Sequence, residues 1–115
     1  MQINGDGYLV DFNGESNTVT LKGSLRLENI NEYKKIGQFL ADVYELNLTE
    51  MTIDFRELEF LNSSGIAMLC KFVMDAKKLD KMPVKIIGNE KILWQKKSFL
   101  NLKLLWDKVE LSFEG

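Results

Sequence analysis

The sequence contains no histidine, one cysteine and one proline among its 115 residues. Without histidine, the Ser-His and Cys-His pairs of many hydrolases cannot form, and the usual nitrogen ligand of zinc is missing. The single thiol, Cys70, excludes an internal disulfide, and its neighbours Leu69 and Phe72 favour a small apolar filler over a reactive group. We therefore expect a protein that is not an enzyme and that binds neither a metal nor another cofactor.

Long apolar runs are also missing. No stretch reaches the roughly 18 residues that a membrane-spanning helix needs, and residues 1–6 lack the basic and then apolar layout of a signal peptide. Apolar residues make up 45% of the chain and charged residues 28%, which is the composition of a globular domain. These features predict a single cytoplasmic domain over residues 1–115 without a membrane partner.

Charge is unevenly distributed along the chain. Residues 1–57 contain five basic and ten acidic residues, whereas residues 58–115 contain ten and seven. The lysines of the second half are spread through helical patterns, without an arginine-rich or aromatic-interleaved stripe. We interpret them as solvent-exposed helix faces and expect no nucleic-acid partner.

Two β-rich runs, residues 8–12 and 18–22, flank a turn-forming cluster and predict an antiparallel hairpin. A capping pair, Asn29 with Glu32, precedes apolar residues at helical spacing and predicts a first helix that ends near Asn47. The remaining predicted strands are Met51–Phe55, Val84–Ile87 and Val109–Phe113, and a loop is predicted over Arg56–Leu61. A second helix is predicted from about Ser64 to Leu79. A third is predicted to begin with Asn89 as its cap and to end at about Lys97. This alternation predicts an α/β domain, with a mixed sheet that begins with the hairpin and about three helices packed against it.

Residues with short polar side chains occupy the start of the predicted second helix, in the segment Asn62-Ser63-Ser64-Gly65. The first turn of a helix has unpaired N–H groups and a partial positive charge, so a phosphate esterified there is stabilised by its position. Gly65 has no side chain, which permits close approach of a second protein. Taken alone, these four residues favour ordinary capping and turn chemistry over a functional site.

The wider stretch from Asp54 to Leu69 resembles the signature of STAS domains, and especially of bacterial anti-sigma-factor antagonists. Residues 21–25 resemble the strand exit that precedes the first helix of that family. The family usually has Asp-Ser-Ser-Gly or Asp-Ser-Thr-Gly where this chain has Asn62 before its serines. The resemblance implies a STAS-like fold and a protein-binding module of a partner-switching pathway. It also implies reversible phosphorylation of Ser63 by a serine kinase that acts as the anti-sigma factor, with a serine phosphatase as the opposing partner.

The residues expected to contact a partner surround that serine, and they are Asn62, Ser64, Gly65, Met68 and Phe72. Packing beneath a neighbouring helix is the alternative for Met68 and Phe72. A phosphate on Ser63 adds a charge of about −1.5 to −2 and prevents close packing there. Two other functions stay open, namely an unphosphorylated STAS-like scaffold and a domain that senses a small molecule or nucleotide.

One aspartate and the two tryptophans are expected to have structural rather than functional roles. Asp54 lies at a strand end like the phosphoacceptor of response-regulator receivers, but Asp11 and Glu15 are too far apart for the acidic pair that such proteins need. We expect Asp54 to be a structural polar residue. Trp94 and Trp106 lie among leucines and are expected in the core rather than in a ligand pocket.

Overall fold

Six strands and three helices form from the described part of the chain, residues 1–28 and 30–115 of a computed structural model. The strands are β1 (Gln2–Gly5), β2 (Tyr8–Asn13), β3 (Thr18–Leu25), β4 (Met51–Leu61), β5 (Val84–Asn89) and β6 (Val109–Glu114). The helices are α1 (Ile30–Tyr44), α2 (Ser63–Leu79) and α3 (Leu93–Leu105). The predicted capping residue Asn29 lies outside the described residues.

The strands form one mixed sheet in chain order. β1, β2 and β3 pair antiparallel, whereas β3 with β4, β4 with β5 and β5 with β6 pair parallel. Each parallel pair is connected through a helix, as parallel strands require. α1 packs beside α2 and α2 beside α3, so the three helices cover the same face of the sheet. The prediction of a mixed sheet with an N-terminal hairpin and three helices is confirmed.

The core lies between this helical layer and the sheet. The strands supply residues of alternating burial, such as Val84 and Ile86 in β5, because successive side chains point to opposite faces. The helices supply residues at steps of three and four, such as Ile36 and Leu40 in α1. Phe99 of α3 stacks on Phe55 of β4 with ring centroids 4.6 Å apart. These contacts fix the position of each helix end over the sheet.

β4 is longer than the sequence pattern predicts. The predicted loop Arg56–Leu61 is wrong, because β4 continues as a strand to Leu61. Its pairing with β3 shifts register twice, between Thr20 and Lys22 and between Gly23 and Ser24 of β3. From Phe55 onwards, every third residue of β4 is buried, and this pattern is typical of neither a strand nor a helix. The extended strand delivers the start of α2 to the end of the sheet.

Three helix boundaries also differ from the prediction. α1 ends at Tyr44, three residues before Asn47, which has a left-handed φ of 56°. The third helix is not capped by Asn89, whose Oδ1 instead accepts a hydrogen bond from the Lys91 N–H at 2.9 Å within a turn. α3 begins at Leu93 and runs to Leu105, well beyond the predicted end at Lys97.

Within the described ranges, no helix has the length and apolar character needed to cross a bilayer.

Candidate functional site

Asn62 joins the end of β4 to α2 and caps that helix. Its extended backbone ends the strand, and its side-chain Oδ1 accepts a hydrogen bond from the Gly65 N–H at 3.0 Å. The same oxygen lies 2.5 Å from the phenol oxygen of Tyr33, which comes from α1. One amide oxygen therefore satisfies a free donor of the helix start and fixes α1 against α2.

The amide nitrogen of Asn62 has a separate role. Its Nδ2 donates to the Leu27 carbonyl at 3.1 Å, and the backbone N–H of Asn62 donates to the Leu25 carbonyl at 3.2 Å. Leu25 is the last residue of β3, and Leu27 lies in the segment that follows this strand. A carboxylate at this position has no hydrogen to donate to Leu27. The local structure thus gives a physical reason for asparagine where STAS proteins commonly have aspartate.

Tyr33 completes this network beneath the helix start. Its phenol oxygen lies 3.1 Å from the Leu25 carbonyl and accepts a hydrogen bond of 3.4 Å from the Leu27 N–H. The side chain is only 3% exposed, and burial raises the pKa of its phenol despite the Leu27 contact. Tyr33 is a structural residue of the site that the sequence did not identify, because its contact with Asn62 joins residues that are 29 positions apart in the sequence.

Replacing Asn62 with aspartate is expected to lower the free energy of unfolding by about 1.5 kcal/mol, because a carboxylate oxygen then faces the Leu27 carbonyl without a hydrogen bond. Urea denaturation at neutral pH measures this change. Asn13→Asp is the matched control, since Asn13 Oδ1 only accepts, from the Glu15 N–H at 2.9 Å, and aspartate retains that contact. Equal stability of the two variants would contradict the role given to the Asn62 amide.

Ser63 and Ser64 begin α2 immediately after this cap, and both are exposed. Neither hydroxyl forms a hydrogen bond with another described residue, because Asn62 supplies the capping oxygen. The Ser63 hydroxyl is therefore open to a modifying enzyme, and modification does not require the helix cap to break. A phosphate at this position gains from the positive end of the helix dipole.

Gly65 has a different role from the one the sequence suggested. The residue is buried, and a Cβ atom on it would overlap the Leu61 side chain and approach Tyr33 Cε1 to 3.0 Å. Its missing side chain makes room for Leu61 and Tyr33 of the same chain. Gly65 is thus buried against these two side chains, and its contact with a partner stays a prediction.

Phe72 also differs from the expectation of a rim contact. It is 5% exposed and packs edge-on against Tyr44 of α1, with ring centroids 6.1 Å apart and an interplanar angle of 87°. Phe72 thus packs against a neighbouring helix, as the alternative interpretation has it, and its contact with a partner stays a prediction. Met68, one turn earlier, is half-buried beside Gly37 of α1.

A groove of about 560 Å³ runs between α1 and α2 and begins at Ser64. Its lining is mostly apolar and includes small residues of both helices, such as Gly37, Ala41 and Ala67, with Phe72 at the bottom. Lys34, Gln38, Lys71 and Asp75 form its polar margin. The structure therefore brings Ser64, Met68 and Phe72 together along one groove, whereas Asn62 and Gly65 are committed to internal contacts.

Asp54 lies on the opposite face of the sheet and is held by an arginine. Arg56 contacts both of its carboxylate oxygens, through Nη2 at 2.8 Å and Nε at 3.0 Å, and also reaches Glu114 at 2.8 Å. Burial opposes ionisation of Asp54, but hydrogen bonds from Arg56 outweigh it and lower the carboxyl pKa. These contacts fit the structural role expected for Asp54.

No cluster of three or more acidic or cysteine side chains in residues 1–28 and 30–115 is placed to hold a metal ion.

The two tryptophans stabilise elements next to the site. Trp106 is 5% exposed and belongs to the core, as expected. Trp94 is half-buried, and its indole N–H donates to the Glu59 carbonyl at 2.7 Å. α3 is in this way attached to the last part of β4, which leads to Ser63.

Comparisons with known proteins establish the fold. No protein-family model matches the sequence, and no curated protein does. Solved structures do match. One chain in the crystal structure of the complex between the diguanylate cyclase SiaD and its activator SiaC, from Pseudomonas aeruginosa, gives a TM-score of 0.75 and 11% identity over 99% of both chains. Apo-SiaC from the same organism gives a TM-score of 0.74 and 11% identity over 100% of this chain and 98% of that one.

An anti-sigma factor antagonist from Mycobacterium paratuberculosis is also similar, with a TM-score of 0.54 and 14% identity over 96% of this chain and 82% of that one. Identities this low establish a common fold only. The predicted STAS-like fold is confirmed, and it is the fold of SiaC and of this antagonist.

Proposed function

We propose that this chain is a single-domain, non-enzymatic binding module of a cytoplasmic partner-switching pathway, controlled by reversible phosphorylation of Ser63. The observation that carries the proposal is the placement of Ser63. Its hydroxyl is exposed and unbonded within the described structure, one residue after a cap that does not need it, and the adjacent Ser64 begins the α1–α2 groove.

The α1–α2 groove gives the proposed partner a place to bind. Its small residues, such as Gly37 and Ala67, permit close approach of another backbone, and its margin residues Lys34 and Lys71 offer charged contacts. Met68 and the exposed Ile30 add apolar area at the end near Ser64. The partner seated there is proposed to be a serine kinase with the role of an anti-sigma factor, or a regulator of the same kind. A serine phosphatase would restore the free hydroxyl.

The fold supports a regulatory role of this kind. SiaC is the activator present in the complex with the diguanylate cyclase SiaD, and the mycobacterial protein is an anti-sigma factor antagonist. Asn62 does not oppose phosphorylation at its neighbour, because its amide is occupied by Tyr33, Gly65 and Leu27. A phosphate on Ser63 would place about two negative charges where the partner must pack closely.

A pull-down from the source cell tests this proposal, with the wild-type chain compared with Ser63→Asp and Ser63→Ala. We expect Ser63→Asp to capture about tenfold less of the bound partner, since one negative charge opposes docking, and Ser63→Ala to capture as much as the unmodified chain. Thr49→Asp is the control, because Thr49 is exposed near the other end of β4 and receives the same charge. Equal capture by all variants would contradict the proposal.

Mass spectrometry of the protein from its native cell adds a second readout. We expect a phosphorylated peptide at Ser63 under at least one growth condition. An unphosphorylated chain under every condition would support the alternative of a STAS-like scaffold. Nucleotide sensing is not favoured by the α1–α2 groove, whose lining is mainly apolar.

A further inference from the structure

The outer face of α3 is the most exposed apolar surface of the described structure. Leu93 is 87% exposed, Leu104 is 83% exposed and Leu100 is 49% exposed. The inner face of the same helix is formed by Gln95, Phe99 and Leu102, which are buried. α3 packs on the sheet through that inner face, which leaves Leu93, Leu104 and about half of Leu100 open to solvent.

The spacing of these leucines is that of a coiled-coil seam. Leu93, Lys97, Leu100 and Leu104 follow one another at steps of four, three and four, which are the steps between a and d positions of a heptad. The seam is about 16 Å long, because a helix rises about 1.5 Å per residue. A ridge of this kind fits between the side chains of one further helix.

The positive charge of α3 indicates that the helix docked on it carries negative charge. Residues 93–105 contain three lysines and no acidic residue. Lys103 donates to the Val109 carbonyl at 3.0 Å, whereas Lys96 and Lys97 form no ion pair or hydrogen bond with another described residue. Lys97 lies within the seam and Lys96 beside it, so carboxylates on a docked helix would find two unpaired ammonium groups there.

A second copy of this chain is a poor occupant of the seam. A two-fold axis through the middle of α3 would bring Lys97 of one copy close to Lys97 of the other. A lysine at an a position lowers the stability of a coiled coil, and two such lysines brought close together repel each other. We propose that the outer face of α3 docks an acidic amphipathic helix of another protein, with leucine-like residues against the seam and glutamates against Lys96 and Lys97.

This surface is separate from the proposed Ser63 switch. α2 lies between α1 and α3, so the α1–α2 groove and the outer face of α3 are different parts of the helical layer. With two separate surfaces, the domain can bind two partners at the same time. Failure of the α3 proposal would leave the function proposed for Ser63 unaffected.

A labelled three-heptad peptide with leucine at a and d and glutamate at e and g tests the proposal by fluorescence anisotropy. Repulsion between its glutamates disfavours its self-association, and a basic helix relieves that repulsion. We expect the peptide to bind the wild-type chain, and binding to weaken at least about tenfold in the triple variant Leu93→Gln, Leu100→Gln, Leu104→Gln. The double variant Lys96→Glu, Lys97→Glu is expected to weaken it by at least about tenfold as well.

The controls separate docking from nonspecific attraction. The same peptide with lysine at e and g is expected not to bind, and Ser63→Asp is expected to leave binding unchanged. Equal binding of the acidic and basic peptides, or unchanged binding by both α3 variants, would overturn the proposal. Wild-type protein that sediments with phosphatidylglycerol vesicles but does not bind the peptide would assign the face to a membrane instead. A dimer that the leucine variant abolishes would assign it to a second copy.

Discussion

Replacement of Gln95 by methionine is expected to lower the free energy of unfolding by about 3 kcal/mol, although methionine conserves most of the side-chain volume. Gln95 is fully buried in α3. Its Nε2 donates to the Phe55 carbonyl at 2.7 Å and to the Leu58 carbonyl at 2.8 Å, and its Oε1 accepts from the Asn89 N–H at 2.7 Å. Methionine leaves these three backbone groups without a partner in the core.

The reason for this large effect lies in the irregular course of β4. Phe55 and Leu58 lie beyond Asp54, the last residue of β4 that pairs with β5, and next to the points where pairing with β3 shifts register. This part of β4 therefore lacks regular ladder partners. Gln95 supplies the missing donor from the helical layer. The side chain thereby stabilises the strand that carries Ser63 to its position.

Urea denaturation of both proteins measures the change, and a fall of roughly 10 °C in the thermal midpoint is expected with it. Gln38→Met is the matched control, because Gln38 is exposed and donates only to Asp42 of the same helix, at 2.7 Å. The control is expected to change stability by less than about 0.5 kcal/mol. A Gln95 variant as stable as the control would contradict the account of β4.

Substitution of Ala67 by glutamate is expected to weaken binding of the partner captured in the pull-down by about 100-fold. Ala67 is exposed on the inner side of the α1–α2 groove, where a docked partner would bury the new carboxylate against apolar atoms. Burial of an unpaired charge costs several kcal/mol, and partial exposure at the margin of the groove reduces that cost. The domain itself is expected to keep its stability, since residue 67 faces solvent in the free protein.

Isothermal titration of the purified partner into each variant gives the affinities. Met74→Glu is the control, because Met74 is 50% exposed on the same helix, lies outside the groove and receives the same charge. It is expected to bind with nearly wild-type affinity. If Ala67→Glu and Met74→Glu bind equally well, the partner does not use the groove.

The element order could be predicted from the sequence because most elements have regular periodicity. Val84–Ile87 and the hairpin runs carry the period of strands, and the residues after Ser63 carry that of a helix. β1 was missed because Gln2–Gly5 contains only one apolar residue, Ile3, and its strand state depends on pairing with β2. The second half of β4 was missed because its register shifts remove the alternation that identifies a strand.

The candidate site was predictable only where it depends on local sequence. Ser63 and Ser64 were placed at a helix start from the polar segment that precedes an apolar pattern. The contacts of Asn62 were not predictable, because Tyr33 and Leu27 lie 29 and 35 residues away in sequence. The groove was missed for a similar reason, since small residues of α1 such as Gly37 have no distinctive pattern until α2 lies beside them.

The most direct test of the central claim compares two forms of one protein, the unmodified chain and the chain with phosphoserine incorporated at position 63. Both are titrated with the purified partner under identical conditions, after their thermal midpoints are found to agree. The account predicts that the phosphate weakens binding by about 100-fold, because a dianion then occupies the start of α2 where the partner packs. Equal affinity of the two forms would contradict it.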